Sequence, residues 1–184
     1  GSDICISDRD IFIVEPTAER NYYTLVTSGM GAHRMNVPKE LAEYKLERAE
    51  IVVYLPADWN ISDHEEKNYW PLRWLKILAR LPLEEDSWLG WGHSVPNGKP
   101  FAENTQLSSV LLINPENVEE GAAVCQLPNG EEVNFYQMIP LYEEEVNFKI
   151  QNGAETLLGK MGEISAVVDI HRLNVCEGFG RPKE

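Results

Sequence analysis

Residues 68–105 read NYWPLRWLKILARLPLEEDSWLGWGHSVPNGKPFAENT and contain four of the chain's five tryptophans. The first half of this stretch spaces apolar residues three and four apart, which predicts an amphipathic helix. The second half is interrupted by glycine and proline, which predicts an aromatic loop. Binding residues concentrate in loops and tryptophan is enriched at protein interfaces, so this stretch is the first candidate for a functional site.

The helical half is interpreted as part of the hydrophobic core. Its regular part is predicted at about residues 69–81, and Ser62-x-x-Glu65 upstream has the form of a capping box, which favours a helix start there. Trp70 and Trp74 fall on the apolar side and are predicted to pack inward. Two interpretations remain open for three loop residues, which either stabilise the loop or bind a partner: Trp88, Trp91 and His93.

Outside this stretch, runs of β-branched and aromatic residues predict a sheet. The runs are 10–14, 22–27, 50–55, 105–113, 122–127 and 133–139. Amphipathic helices are predicted at 141–152 and, after Gly153, at about 154–161. The sequence therefore predicts an α+β fold, in which a mixed, largely antiparallel sheet of about six strands packs against two or three helices.

Length and composition predict one domain. With 184 residues and 43% hydrophobic content, the chain can bury a sizeable core, and no apolar run approaches the roughly 20 residues that cross a bilayer. We expect a single domain over 3–176, a flexible tail over 177–184 and a cloning scar at 1–2. Cys5, Cys125 and Cys176 are far apart without C-x-x-C spacing, which favours a reducing cytoplasm.

The charge balance restricts the partner. Sixteen basic and thirty acidic residues give a formal net charge of −14. Nucleic acids and anionic membranes would be repelled, so neither is expected as a partner. A basic protein remains compatible with this charge.

The sequence contains no recognisable catalytic or metal-binding motif, so we expect no catalytic, cofactor-binding or metal-binding residues. No G-x-G-x-x-G, Walker, H-E-x-x-H or G-x-S-x-G pattern occurs, and the four histidines are dispersed. Cys125 lies on an alternating strand pattern and is predicted to be a small buried residue. An enzyme with an unrecognised site in the loop Trp88–Asn104 stays an alternative, which predicts a cleft where His93 faces Glu103 or Asp86.

Seven motifs follow one another in order along the chain. They are YYTLVTSGM (22–30), MNVP (35–38), KNYWPxRWL (67–75), WLGxGH (88–93), PNG (96–98), FAENT (101–105) and NFYxxIPLY (134–142). Together they resemble the Suppressor of Fused family in its bacterial form, over about residues 10–176. The resemblance implies an α+β domain without established catalytic residues that acts by binding other proteins.

The resemblance also implies kinds of partner. Animal members of the family sequester a zinc-finger transcription factor of the Hedgehog pathway, whereas many bacterial members are encoded beside polymorphic toxins and are regarded as their immunity proteins. We therefore expect a cytoplasmic, non-enzymatic immunity protein of the antitoxin type that binds and neutralises a partner toxin. The acidic charge favours a basic toxin domain. The alternative is a regulatory scaffold that binds an extended peptide by strand addition, which predicts an exposed sheet edge.

The same resemblance suggests where a partner binds. In animal relatives a short peptide lies beside the loop that follows the long helix. Matching the helix ends brings four residues to that place: Leu81, Leu89, Gly92 and His93. Together with the polar and aromatic residues of the loop, the expected partner-binding set is Leu81, Trp88, Leu89, Trp91, Gly92, His93, Glu103 and Asn104.

Overall fold

Seven strands form one sheet in the computed structural model, which describes residues 11–163 and 166–180. The strands are β1 (Ile11–Val14), β2 (Tyr22–Thr27), β3 (Arg48–Pro56), β4 (Ser94–Pro96), β5 (Ser109–Ile113), β6 (Val124–Gln126) and β7 (Glu132–Leu141). The helices are α1 (Glu66–Glu84), α2 (Glu143–Asn152) and α3 (Ala154–Met161). Short 3-10 helices occur at Met30–Ala32 and Lys39–Tyr44.

The sheet is mixed. Its order is β1-β2-β3-β7-β5-β4, and β6 pairs with the first part of β7. β3 and β7 are parallel, with Ile51 opposite Tyr136, and the other pairs in the described chain are antiparallel. The predicted α+β fold with a mixed, largely antiparallel sheet is confirmed.

Both faces of the sheet are covered where β5 and β7 lie. On β5, Val110 and Leu112 join the cluster that contains α1, while Leu111 and Ile113 join a second cluster with α2 and α3. This two-sided burial explains why β5 is a continuous apolar run instead of an alternating one. The loop that precedes β4 is consequently attached to a rigid part of the sheet.

The long helix α1 supplies the core on one face. Trp70 and Trp74 are buried, as predicted, and Ile77 is exposed. The predicted helix start was wrong in detail, because α1 begins at Glu66 and Ser62 does not cap it. Glu65 occupies the N-cap position without a side-chain cap, and the Asp63 carboxylate holds the preceding turn by accepting the Glu65 N–H at 3.1 Å and the Asn68 side-chain amide at 2.7 Å.

A buried carboxylate explains part of the YYTLVTSGM motif. Glu50 of β3 accepts hydrogen bonds from the Thr27 hydroxyl, from Gly29 N–H at 3.0 Å and from Gly31 N–H at 2.9 Å. Burial raises the pKa of Glu50, and the hydrogen bond from Thr27 opposes this shift. These hydrogen bonds therefore hold the turn after β2 against β3.

The C-terminal segment packs against the second cluster. The ring of Phe179 contacts that of Phe148 with centroids 5.2 Å apart, although residues 177–184 were expected to form a flexible tail. Residues 181–184, Cys5 and the expected cloning scar at 1–2 lie outside the described residues. No helix in the described parts of the chain is long and apolar enough to cross a membrane.

Two details of the predicted strands were wrong, the start of the run 105–113 and the burial of Cys125 in the run 122–127. The run 105–113 forms a strand only from Ser109, because Phe101 N–H donates to Leu107 O at 2.9 Å and folds the preceding residues into a loop. Cys125 is exposed, because β6 has only three residues and lies outside the main strand order.

Candidate protein-binding site

The loop after α1 is bound to the sheet by its backbone. Gly92 N–H donates to Leu112 O at 2.8 Å, and Leu112 N–H donates to His93 O at 2.9 Å. The chain then continues directly into β4, which lies at the edge of the sheet next to β5. The backbone of this loop is therefore held in place by hydrogen bonds to β5, and so are the positions of its candidate residues.

Trp88 and His93 form one packed unit across the loop. Their rings meet edge to face with centroids 4.4 Å apart, and Gly90 N–H donates to His93 Nδ1 at 3.2 Å. A Cβ on Gly90 would lie 2.7 Å from the Trp88 ring, so a larger residue there would displace this ring. Both side chains are half-buried, which leaves one surface of the unit facing outward.

The environment of His93 favours a neutral imidazole. Burial lowers the pKa of His93, and the nearby charge of Lys149 lowers it further, while a hydrogen bond with the Trp88 backbone acts in the opposite direction. Lys149 reaches this place from α2 and donates to Ser94 Oγ at 3.0 Å. Burial also lowers the pKa of Lys149.

We expect Lys149→Met to raise the pKa of His93, because the substitution removes the neighbouring positive charge. The pKa of His93 is below its ordinary value in the folded chain, so the unfolded chain binds the proton at this residue more readily. His93 therefore lowers the stability of the fold as the pH falls below about 6.5, and it has no such effect at higher pH. The measurement is a proton NMR titration of the His93 ring. Lys160→Met on α3 is the matched control, and an equal shift in both variants would contradict the assigned cause.

Trp91 differs from its neighbours because its side chain is 40% exposed. The next residue, Gly92, has φ +82°, a backbone conformation that glycine adopts easily, and a Cβ at this position would lie 3.5 Å from the Ala154 side chain of α3. Trp91 is thereby left at the surface between the loop and α3. An exposed tryptophan on a fixed backbone is a typical interface anchor.

The second half of the loop is fixed to the core through Phe101. Its ring stacks on Trp70 with centroids 4.6 Å apart and an interplanar angle of 4°. Glu103 is exposed, whereas Asn104 is half-buried and its Oδ1 has no hydrogen-bond partner among the described residues. Thr105 then donates its hydroxyl to Ile170 O at 2.9 Å.

The predicted partner-binding residues divide by exposure. Trp91 and Glu103 are exposed, and Leu89 is only 3% exposed, so its side chain holds the loop to the core. The remaining residues are half-buried: Leu81, Trp88, Gly92, His93 and Asn104. The structure thus brings the residues 88–93 together and separates Leu89 from the surface.

A groove of about 720 Å³ lies between β4 and α2. Ser94 and Pro96 form one side, and Val146 and the exposed Ile150 form the other. The sequence did not predict β4 or this groove. The available signal was Ile150, which follows Val146 at helical spacing but is left uncovered by the fold.

The site offers no recognisable catalytic arrangement. Within the described chain no hydrogen bond joins His93 to Glu103 or Asp86, the contact that would have favoured the enzyme alternative. No group of three or more His, Cys, Asp or Glu side chains that could hold a metal ion occurs within 11–163 and 166–180.

Comparison with known proteins identifies relatives. The family model described as Suppressor of fused protein (SUFU) matches residues 7–173. An uncharacterised protein of Ureaplasma parvum serovar 3 is 27% identical over 164 residues, which are 89% of this chain and 77% of that protein.

Solved structures share the fold at low identity. A Suppressor of fused homologue from Neisseria gonorrhoeae has a TM-score of 0.63 at 20% identity, covering 90% of this chain and 76% of its own. The Sufu–Fu complex gives 0.62 at 15% identity, with 90% and 75% covered. Drosophila Suppressor of Fused gives 0.63 at 15% identity, with 90% of this chain and 42% of that chain covered.

Proposed function

Because the chain belongs to the Suppressor of fused family, we propose that it acts by binding another protein and has no catalytic activity of its own. The family match over residues 7–173 carries this proposal, since the domain is a protein-binding domain in Suppressor of fused itself. One chain of the same fold was solved as Sufu in a complex with Fu.

We further propose that the partner is a basic toxin domain, which the chain neutralises as an immunity protein. Its net charge of −14 attracts a basic protein over long range and speeds association. Cys125 and Cys176 are free thiols, which fits a cytoplasmic place of action.

The contact surface in this proposal is the segment Trp88–Asn104 together with the groove beside β4. Trp91 and Glu103 are exposed on it, and the packed Trp88–His93 unit with Asn104 gives it a fixed shape. Leu81 lies beside the segment on α1, while within the segment Leu89 is buried in the core and Gly92 N–H donates to Leu112 O of β5. A surface that is already ordered loses little conformational entropy when a partner binds.

We expect Trp91→Ala to weaken partner binding by about 30-fold, the loss that corresponds to roughly 2 kcal/mol at an interface anchor. Its free energy of unfolding should change by less than about 1 kcal/mol, because the side chain is partly exposed. The measurement is calorimetric titration with the protein encoded beside this gene. Tyr44→Ala, at an exposed aromatic on the Lys39–Tyr44 helix, is the control.

Unchanged affinity of the Trp91→Ala variant would remove this segment from the interface. Failure of the wild-type chain to bind the neighbouring protein at all would contradict the immunity role itself. The two results are therefore separable.

Peptide binding by strand addition is the second candidate. The outer edge of β4, which pairs with no strand within 11–163 and 166–180, favours it. Asn97 N–H donates to Ser108 O and Leu112 N–H donates to His93 O, so the backbone groups of alternate residues face β5. Ser94 therefore turns its N–H to the free edge, whereas Pro96 has no N–H to offer. A short peptide that binds at micromolar concentration and is released by Ser94→Pro would favour this candidate.

A further inference from the structure

A larger cavity lies next to the β4 groove and shares Arg172 and Leu173 with it. Its volume is about 830 Å³, which is within the usual range of ligand-binding sites. Ile113 and Ile139 of the sheet, Leu158 and Met161 of α3, and the side chains of Trp91 and Leu173 line it. We call it the Trp91–Leu173 cavity.

The polar groups in its wall are held in place. Gln137 is fully buried, accepts Glu116 N–H at 2.9 Å and donates to Ala166 O at 3.0 Å. Arg172 donates to Glu145 Oε2 at 2.7 Å and to Pro140 O at 2.9 Å. The cavity is therefore formed before any ligand arrives, which reduces the entropic cost of binding.

The rim of the cavity is acidic. Glu116 and Asp169 line it and are exposed, and neither carboxylate forms an ion pair within the described residues. Asp169 Oδ1 accepts the N–H of His171, another rim residue, at 3.0 Å. The positive charge of Arg172 is neutralised by the buried Glu145, so it does not offset the rim carboxylates.

The mouth of the cavity is apolar and exposed. Leu173 is 86% exposed, the largest value among the exposed hydrophobic residues of the described chain, and Trp91 is 40% exposed. Exposed apolar side chains inside a polar rim are typical of protein-interaction sites. An occupant must thus combine an apolar group for the interior with a positive charge for the rim.

We propose that the Trp91–Leu173 cavity receives an apolar side chain of the partner protein that has a lysine or arginine directly beside it. The proposal rests on the proposed protein-binding function and specifies the chemistry of the contact. The apolar side chain fills the space between Ile139 and Leu158, and the cation lies between Glu116 and Asp169. Trp91 then belongs to both surfaces and joins the cavity to the segment Trp88–Asn104.

Two capped dipeptides test the proposal without the natural partner. Acetyl-Leu-Arg-amide and acetyl-Leu-Glu-amide are titrated into the full chain while NMR follows the Trp91 indole and the Leu173 methyl signals. We expect saturable shifts with the arginine peptide and at least about fivefold weaker binding of the glutamate peptide, the size that two exposed charge contacts supply. Equal binding of both peptides, or no shift at millimolar concentration, overturns the proposal.

Charge-matched variants test whether Glu116 and Asp169 cause the preference for the arginine peptide. Glu116→Gln with Asp169→Asn should bring the two peptides to similar affinity, whereas Glu40→Gln with Glu43→Gln, at exposed acids of the Lys39–Tyr44 helix, should leave the preference unchanged. An equal loss in both double variants would assign the preference to overall charge and overturn the site. Because no toxin is used, failure here leaves the proposed function standing, and the partner titration tests that separately.

Discussion

Trp70→Ala is expected to lower the free energy of unfolding by about 3–5 kcal/mol, the range for removing a buried tryptophan from a core. Trp70 is 1% exposed, stacks on Phe101 at 4.6 Å and meets Trp59 edge to face at 6.1 Å. Its loss leaves a cavity that two other aromatic rings surround. Urea unfolding followed by circular dichroism measures the effect.

The same substitution should also weaken partner binding, because Phe101 fixes the second half of the candidate segment to Trp70. Trp70→Phe should cost less than the alanine variant, since it keeps a ring against Phe101 and the Trp70 Nε1 has no hydrogen-bond partner among the described residues. Trp91→Ala is the control for a tryptophan at the surface. A loss below about 1 kcal/mol for Trp70→Ala would show that the ring does not support the core.

Glu145→Ala is the second large effect, with an expected loss of about 3–5 kcal/mol, because it leaves the positive charge of a mostly buried arginine uncompensated. Glu145 is 0% exposed. Its carboxylate accepts hydrogen bonds from both terminal nitrogens of Arg172. It also accepts the backbone N–H of Tyr142 at 2.8 Å and that of Val175 at 3.2 Å. One side chain therefore joins the start of α2 to the C-terminal segment.

Glu143→Ala is the matched control, since Glu143 lies in the same first turn of α2 but is exposed. We expect it to cost about 0.3–1 kcal/mol, the contribution of a negative charge near a helix N-terminus. The double variant Glu145→Leu with Arg172→Met should lose less stability than the sum of the single variants, because it removes both charges together. Strict additivity in thermal or urea unfolding would contradict a direct pair.

Local patterns predicted the elements that depend on neighbouring residues. The spacing of Trp70 and Trp74 predicted a helix with both rings inward, because burial on one face imposes a period on the sequence. The runs of β-branched and aromatic residues at 22–27 and 50–55 predicted strands. The residues 105–108 were assigned to a strand wrongly. Their apolar character serves a buried loop around Phe101, and a propensity pattern does not separate the two environments.

The structure shows where the residues of the candidate segment lie, and their role in binding stays a prediction. Trp91 and His93 lie in an ordered loop beside the sheet, in the stretch that the tryptophan pattern indicated. Leu89 was placed in the partner-binding set, yet it is buried, because the loop folds back on the core. Lys149 and the groove beside β4 were missed, since α2 lies about fifty residues further along the chain and no local signal connects them.

The sequence by itself determined the α+β class, the membership in a protein-binding family and the acidic character, because these follow from composition, periodicity and ordered motifs. Only the tertiary structure decided the parallel pairing of β3 with β7, the contact between Glu145 and Arg172, and the meeting of Trp91 with Leu173 at one cavity. The physical reason is the separation along the chain of the residues that interact. Periodicity reports which face of an element is buried, whereas contacts between distant residues depend on how the elements pack.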